Sequence, residues 1–209
     1  LSLGTLVSTD ELQRPPASTA LGNIARTIEP TLRKVAAHVD SKVRASALSV
    51  LGKIGTGGDS AAVLLRGLSD PAESVVIAAI AASGNWLQRE PNPELRARLH
   101  TLTTATSWQV RPAAVSAAAS CGALSDSELT VLAKDGSAFV RQAVATSVRL
   151  GSTTAWPVLD SLAKDPIWQV RAAVAARLVD TSDTHAKALR GTLATDPTPQ
   201  VRLAAGEKQ

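Results

Sequence analysis

A valine–arginine pair recurs down this chain at a nearly constant pitch. It stands at Val43-Arg44, Val110-Arg111, Val140-Arg141, Val170-Arg171 and Val201-Arg202. Val75-Val76 fills the slot once without the arginine. Successive slots are 32, 35, 30, 30 and 31 residues apart. A self-similar period of about 30 residues marks stacked units, each too small to bury its own apolar face. The 209 residues therefore predict one continuous array rather than separate closed globules. An array presents a long surface and usually no catalytic cleft.

Hydrophobic residues make up 44% of the chain, yet aromatics are only 2%. The core must then be built from Ala, Val, Leu and Ile. Alanine is the best helix former, so the class is all-α. The net charge of +4 is thinly spread and has no run of one sign, unlike a nucleic-acid footprint. Cys121 is the only cysteine, which excludes an internal disulfide and any CxxC zinc knuckle. The longest apolar run, Val75 to Ala82, is too short to span a bilayer. No signal peptide is visible, and a cytoplasmic location is expected. The chain begins at Leu1 and contains no Met, as expected of a trimmed or processed piece.

Each unit reads as helix, Asp-containing turn, helix. In the fifth, Thr153 to Ala163 and Ile167 to Val179 are the expected helices, joined at Lys164-Asp165-Pro166. Asp before Pro reads as a helix start, repeated at Asp70-Pro71 and Asp196-Pro197. Val170, Ala173, Val174 and Leu178 form the buried stripe of the second helix. Gly52, Gly55, Gly84, Gly122 and Gly151 are placed to close second helices. Residues 84–95 account for the long step and predict an extended loop. Pro112 predicts a late or kinked helix start. Residues 1–23 read as an irregular linker or loose cap, and 24–209 as the array, with a short or truncated last unit.

The motif Asp165, Pro166, Trp168, Val170, Arg171, Ala173 resembles HEAT repeats of the kind found in phycobilisome-lyase-like proteins. The likeness covers residues 31–205, as five full repeats and a partial sixth. It implies a right-handed α-solenoid, an armadillo-like superhelix of about five to six helix pairs, whose second helices line a concave side. It does not imply one activity, because this architecture hosts scaffolds, adaptors, bilin lyases, a metal-dependent hydroxylase and DNA glycosylases.

Arg44, Arg111, Arg141, Arg171 and Arg202 share one slot, and Asp40, Asp70, Asp135, Asp165 and Asp196 lie in the turns nearby. They form either a structural Asp–Arg ladder tying adjacent turns or a stripe that tracks phosphates. The ladder is favoured, because nearly every Arg has an acid within six residues before it. Trp108 and Trp168 share another slot and are expected to plug the seam between repeats, so that Trp168→Ala would cost about 3–5 kcal/mol. Trp156 reads as core. Trp86, beside the expected loop, is a candidate exposed anchor for a partner. Leu48, Ile77, Ile80, Val115, Ala145 and Ala175 fall off the main stripe. They either pack on flanking helices or form an apolar groove for a partner segment.

His38, His100 and His185 have no metal-ligand spacing, and the paired His-Glu motifs of the iron-binding hydroxylases are absent. No GxSxG elbow or Walker motif occurs. No catalytic, cofactor or metal site is therefore assigned. The chain reads as a non-catalytic scaffold presenting a curved surface to a protein partner, or to another domain of its parent chain. The alternatives are nucleic-acid binding with glycosylase-like chemistry, and bilin-lyase-type chromophore handling. If the arginines are structural, Arg141→Glu will lower the melting temperature more than it alters partner binding. Both are measurable in one variant.

Overall fold

The computed structural model describes residues 27–55 and 57–206. The segment expected as a linker, 1–23, lies outside them. Twelve helices follow one another in six pairs, with no β-sheet among the described residues. The first helices are α1 (27–35), α3 (Gly57–Gly67), α5 (Pro93–Leu102), α7 (Asp126–Leu132), α9 (Ala155–Leu162) and α11 (Thr184–Leu193). The second helices are α2 (Ser41–Ile54), α4 (Glu73–Leu87), α6 (Val110–Ser120), α8 (Ala138–Ser147), α10 (Trp168–Arg177) and α12 (Pro199–Ala204).

Second helices stack on one another in chain order, from α2 on α4 to α10 on α12. Small side chains permit it. Ala79, Ala114, Ala118, Ala145 and Ala175 are fully buried. Gly52 lies so close to α4 that a Cβ there would sit 2.4 Å from Ala82 Cα. Gly84 meets Ala117 in the next seam. These two glycines therefore lie within helices as close-approach points, not as stops. Gly122 and Gly151 do adopt the left-handed conformation, at φ 69° and 112°. The slot valines Val75, Val110, Val140, Val170 and Val201 are buried under the stack. First helices close it from one side with leucines such as Leu64, Leu99, Leu129 and Leu159.

First helices carry their own caps. Asn92 accepts the Leu95 N–H, Asp183 accepts the Ala186 N–H, and Ser125 with Glu128 forms a capping box. Two expectations change. The region 84–95 is mostly helical: α4 runs to Leu87 and α5 begins at Pro93, leaving a short link. Glu90 in that link accepts the Gly57 N–H and Arg89 reaches Gly55 O, fastening it to the turn after α2. Pro112 neither delays nor kinks α6, which starts at Val110. Its missing N–H falls in the first turn, where helical amides have no partner within the helix.

Gly52→Ala is expected to destabilise by about 1–3 kcal/mol, because the seam cannot open locally. Gly191→Ala in α11, where a Cβ meets nothing, is expected to stabilise by about 0.4–1 kcal/mol. Urea denaturation of both variants tests the contrast.

Candidate functional site

Arg44, Arg111, Arg141 and Arg171 sit in the first turn of a second helix and reach forward to the next repeat. The Nε and Nη2 of each grip both oxygens of that repeat's turn aspartate. Arg44 holds Asp70 at 2.8 Å through both nitrogens. Arg111 holds Asp135 at 3.2 and 3.0 Å, Arg141 holds Asp165 at 2.6 and 2.9 Å, and Arg171 holds Asp196 at 2.7 and 2.9 Å. The remaining Nη1 donates to carbonyls of the arginine's own turn, as from Arg141 to Asp135 O at 2.8 Å and from Arg202 to Asp196 O at 2.9 Å. Each bridging carboxylate also accepts the N–H two residues on, from Ala72, Ser137, Ile167 or Thr198. The turn aspartates therefore stand before the helix caps rather than at them. The prolines after Asp70, Asp165 and Asp196 likewise precede helices that begin at Glu73, Trp168 and Pro199.

Every bridging acid lies six residues before the next arginine slot. Val76 lacks the guanidinium, and the position it would reach, Ala105, lacks the carboxylate. Both halves of that rung are missing together, which leaves no buried charge unpaired. Asp40 stands outside the register. His38 holds its place, with Nδ1 accepting the Asp40 N–H at 3.0 Å, while Asp40 caps α2 through the Lys42 N–H.

The rungs are nearly dry, and their titration reflects it. The Arg171 hydrogen bonds hold Asp196 down to about 2 against the opposing effect of burial, helped by the Thr198 N–H. Asp70 is lowered chiefly by Arg44. For Asp165 burial pushes upward most strongly, yet the bonds from Arg141 and Ile167 outweigh it and the net shift is down. Arg44, Arg141 and Arg171 are correspondingly raised by their aspartates. Away from the ladder, His100 meets Glu128 at 2.5 Å and His185 meets Asp160 at 2.9 Å, linking neighbouring first helices. Glu128 is lowered to about 2 by the Ser125 hydroxyl and then by His100. No group of three or more metal-ligating side chains occurs among the described residues, and Cys121 is a partly buried thiol after α6.

The apolar candidates are placed differently from expectation. Trp86 is 1% exposed, carried into the core because α4 continues past Gly84. Leu48, Ile80 and Val115 are buried as well, and Ile77 is partly buried. An inner second helix has a second helix on either side and a first helix beneath, so only a narrow strip of it meets solvent. Trp86, Leu48, Ile80 and Val115 thus cannot receive a partner directly. The reverse holds for Trp108 and Trp168, which are 52% and 38% exposed instead of plugging a seam. The 3–5 kcal/mol loss expected for Trp168→Ala does not follow for so exposed a ring.

The strip that does meet solvent carries a different set of side chains. Trp108, Phe139 and Trp168 project from the starts of α6, α8 and α10, and Phe139 is 56% exposed. The Trp108 and Phe139 rings lie 5.3 Å apart at 30°. They flank a groove of about 500 Å³ between α6 and α8, lined also by Gln109, Pro112, Ala113 and Gln142. Gln169 and Gln200 repeat the glutamine on α10 and α12. Phe139 and the glutamines escaped the sequence reading. They share a signal all the same: they stand two residues before or one after the arginine slot, three apart and hence on one helix face. Trp156 is half-buried against the His185 ring, 4.7 Å away.

The family model for HEAT repeats matches residues 6–85. The same helix pair then recurs to the end of α12. The described helix pairs form a repeat solenoid of the HEAT and armadillo type. Among curated proteins none matches the chain. Its array is similar in fold to YibA of E. coli (TM-score 0.65, 20% identity, covering 92% of this chain and 74% of that one). A designed armadillo repeat protein in complex with the peptide (KR)4 is also similar (TM-score 0.55, 19% identity, 84% and 95% covered). So is the S. pombe condensin Cnd3–Cnd2 subcomplex (TM-score 0.56, 18% identity, 87% of this chain and 30% of that one). HEAT and armadillo arrays are typical of protein-interaction scaffolds. No helix among the described residues is long and apolar enough to cross a membrane.

Arg141→Ala is expected to cost on the order of 3 kcal/mol, because it strands Asp165 in a nearly dry turn. Arg141→Ala combined with Asp165→Ala is expected to cost less than the sum of the two single changes in a double-mutant cycle. The acid response has a definite sign. The lowered aspartates stabilise fully above about pH 4, the ordinary aspartate value, and lose that contribution as pH falls toward their folded values. The melting temperature is expected to hold from pH 7 to about 5 and to drop between about 4 and 2, less steeply in Asp165→Asn.

Proposed function

We propose that this array is a non-catalytic scaffold that binds a protein segment on its second-helix strip, at Trp108, Phe139 and Trp168. The observation that supports it most is that Trp108, Phe139 and Trp168, three large aromatic side chains, stand in solvent at the starts of three successive second helices. Exposed aromatics grouped on one strip mark interaction surfaces, and such residues dominate binding energy. Rigid stacking adds to the case, because a preformed surface loses little entropy when a partner docks. The groove beside Trp108 has no carboxylate, histidine or cysteine in its lining, so its chemistry is that of binding rather than proton transfer or nucleophilic attack.

Nucleic-acid binding has less behind it. The slot arginines Arg111, Arg141 and Arg171 are engaged by carboxylates, and Arg177 donates to Val148 O. Few cations are left on this strip to meet phosphates.

A photo-crosslinking residue at Gln142, in the groove, is expected to form protein adducts in cell extract. The same residue at Lys187, exposed on α11, is not. Trp108→Ser is expected to abolish the Gln142 adducts while leaving the melting temperature essentially unchanged. Equal yields from both sites, or adducts indifferent to Trp108, would remove the reading.

A further inference from the structure

We propose that the occupant of this strip is an uncharged, proline-rich segment in the polyproline II conformation, lying across α6, α8 and α10. The inference rests on the scaffold reading above and names its partner class.

Charge narrows the choice first. α6, α8, α10 and α12 contain no Asp or Glu at all. Their arginines at 111, 141 and 171 are already neutralised by Asp135, Asp165 and Asp196. Arg202 donates to Asp196 O and Pro197 O, and Arg177, at the far end of α10, donates to Val148 O. A charged segment laid across the starts of α6, α8 and α10 would give up hydration and meet no unpaired counter-charge there. A basic peptide such as the (KR)4 of the designed armadillo complex would find no carboxylate on these helices.

Hydrogen bonding narrows it further. Gln109, Gln142, Gln169 and Gln200 offer one side-chain amide per repeat, and the exposed Trp108 and Trp168 carry indole N–H donors. A docked α-helix has its backbone carbonyls satisfied internally and leaves those donors idle. A proline-rich chain has no N–H to satisfy at its prolines and leaves every carbonyl free to accept.

Polyproline II has no internal hydrogen bonds, so its carbonyls stay free to accept along the whole strip. The Trp108–Phe139 pair then serves as a stacking wall for proline rings, as aromatic-lined grooves do wherever polyproline II is recognised.

Fluorescein-labelled decaproline titrated with the full chain tests this, with anisotropy as the readout and tryptophan emission as the second. Saturable binding is expected, weakened about tenfold or more by Trp108→Ser and by Gln142→Glu, with unchanged melting temperatures. Gln142→Glu keeps an acceptor and removes the donors, so it separates hydrogen bonding from shape. Octapeptides of alternating Lys and Arg, an oligoglutamate, and a helical alanine-based peptide are expected to bind at least tenfold more weakly. Decaproline binding no tighter than a Gly-Ser peptide, or insensitive to both substitutions, overturns the proposal. If decaproline fails while Gln142 still crosslinks protein, only the partner class is wrong. If neither occurs, the scaffold reading falls with it.

Discussion

An arginine that reaches forward by one repeat holds this array in register. A single helix pair cannot cover its own apolar stripe, so each pair must be stacked on the next. Alanine and glycine bring the second helices close, but a seam of small residues alone specifies little about sliding along it. The Arg–Asp rung supplies that specification. Its guanidinium ties the carbonyls of one turn to the carboxylate of the following turn, and that carboxylate orders the amide that begins the next helix. Planar side-on pairing constrains angle as well as distance, which a lysine could not do. The joint loss of Arg at 76 and Asp at 105 follows the same logic, since half a rung would bury a lone charge.

What the rungs fix at the helix starts also shapes the exposed strip. Each second helix begins at an equivalent point, so residues beside the arginine slot project at a regular step. The charges nearest the strip are consumed inside the turns. Between the rungs lie aromatic rings and glutamines, with no acid on α6, α8, α10 or α12. A neutral surface flanked by neutralised ion pairs follows from the stacking device itself. The stabilising ladder and the proposed binding strip thus occupy the same helices without competing for the same side chains.

The proposed role follows from what a rigid stack can do. It has a long face along which Trp108, Phe139 and Trp168 stand exposed at successive second helices. Similarity in fold to YibA, to a peptide-bound armadillo design and to a condensin subunit pair places the architecture among such arrays. At 18–20% identity those likenesses speak to fold, and the partner has to be inferred from the side chains.

The sequence by itself determined the repeat, its pitch, the all-helical class and the arginine slot. Those features are periodic, and periodicity survives without coordinates. Only the tertiary structure decided which faces of each second helix are covered. Helical spacing tells that Leu48, Ile80 and Val115 lie off the main stripe; it does not tell that another helix sits there. The same gap misplaced the tryptophans. Trp86 looked like a loop residue and is core because α4 runs one turn further, while Trp108 and Trp168 looked like seam plugs and face solvent. The rung partner was also beyond local reading: the acid just before Arg141 or Arg171 gives that arginine a carbonyl, and the carboxylate of every rung comes from 24 to 26 residues ahead. Burial and pairing across repeats are set by stacking geometry, which brings together residues that sequence distance keeps apart.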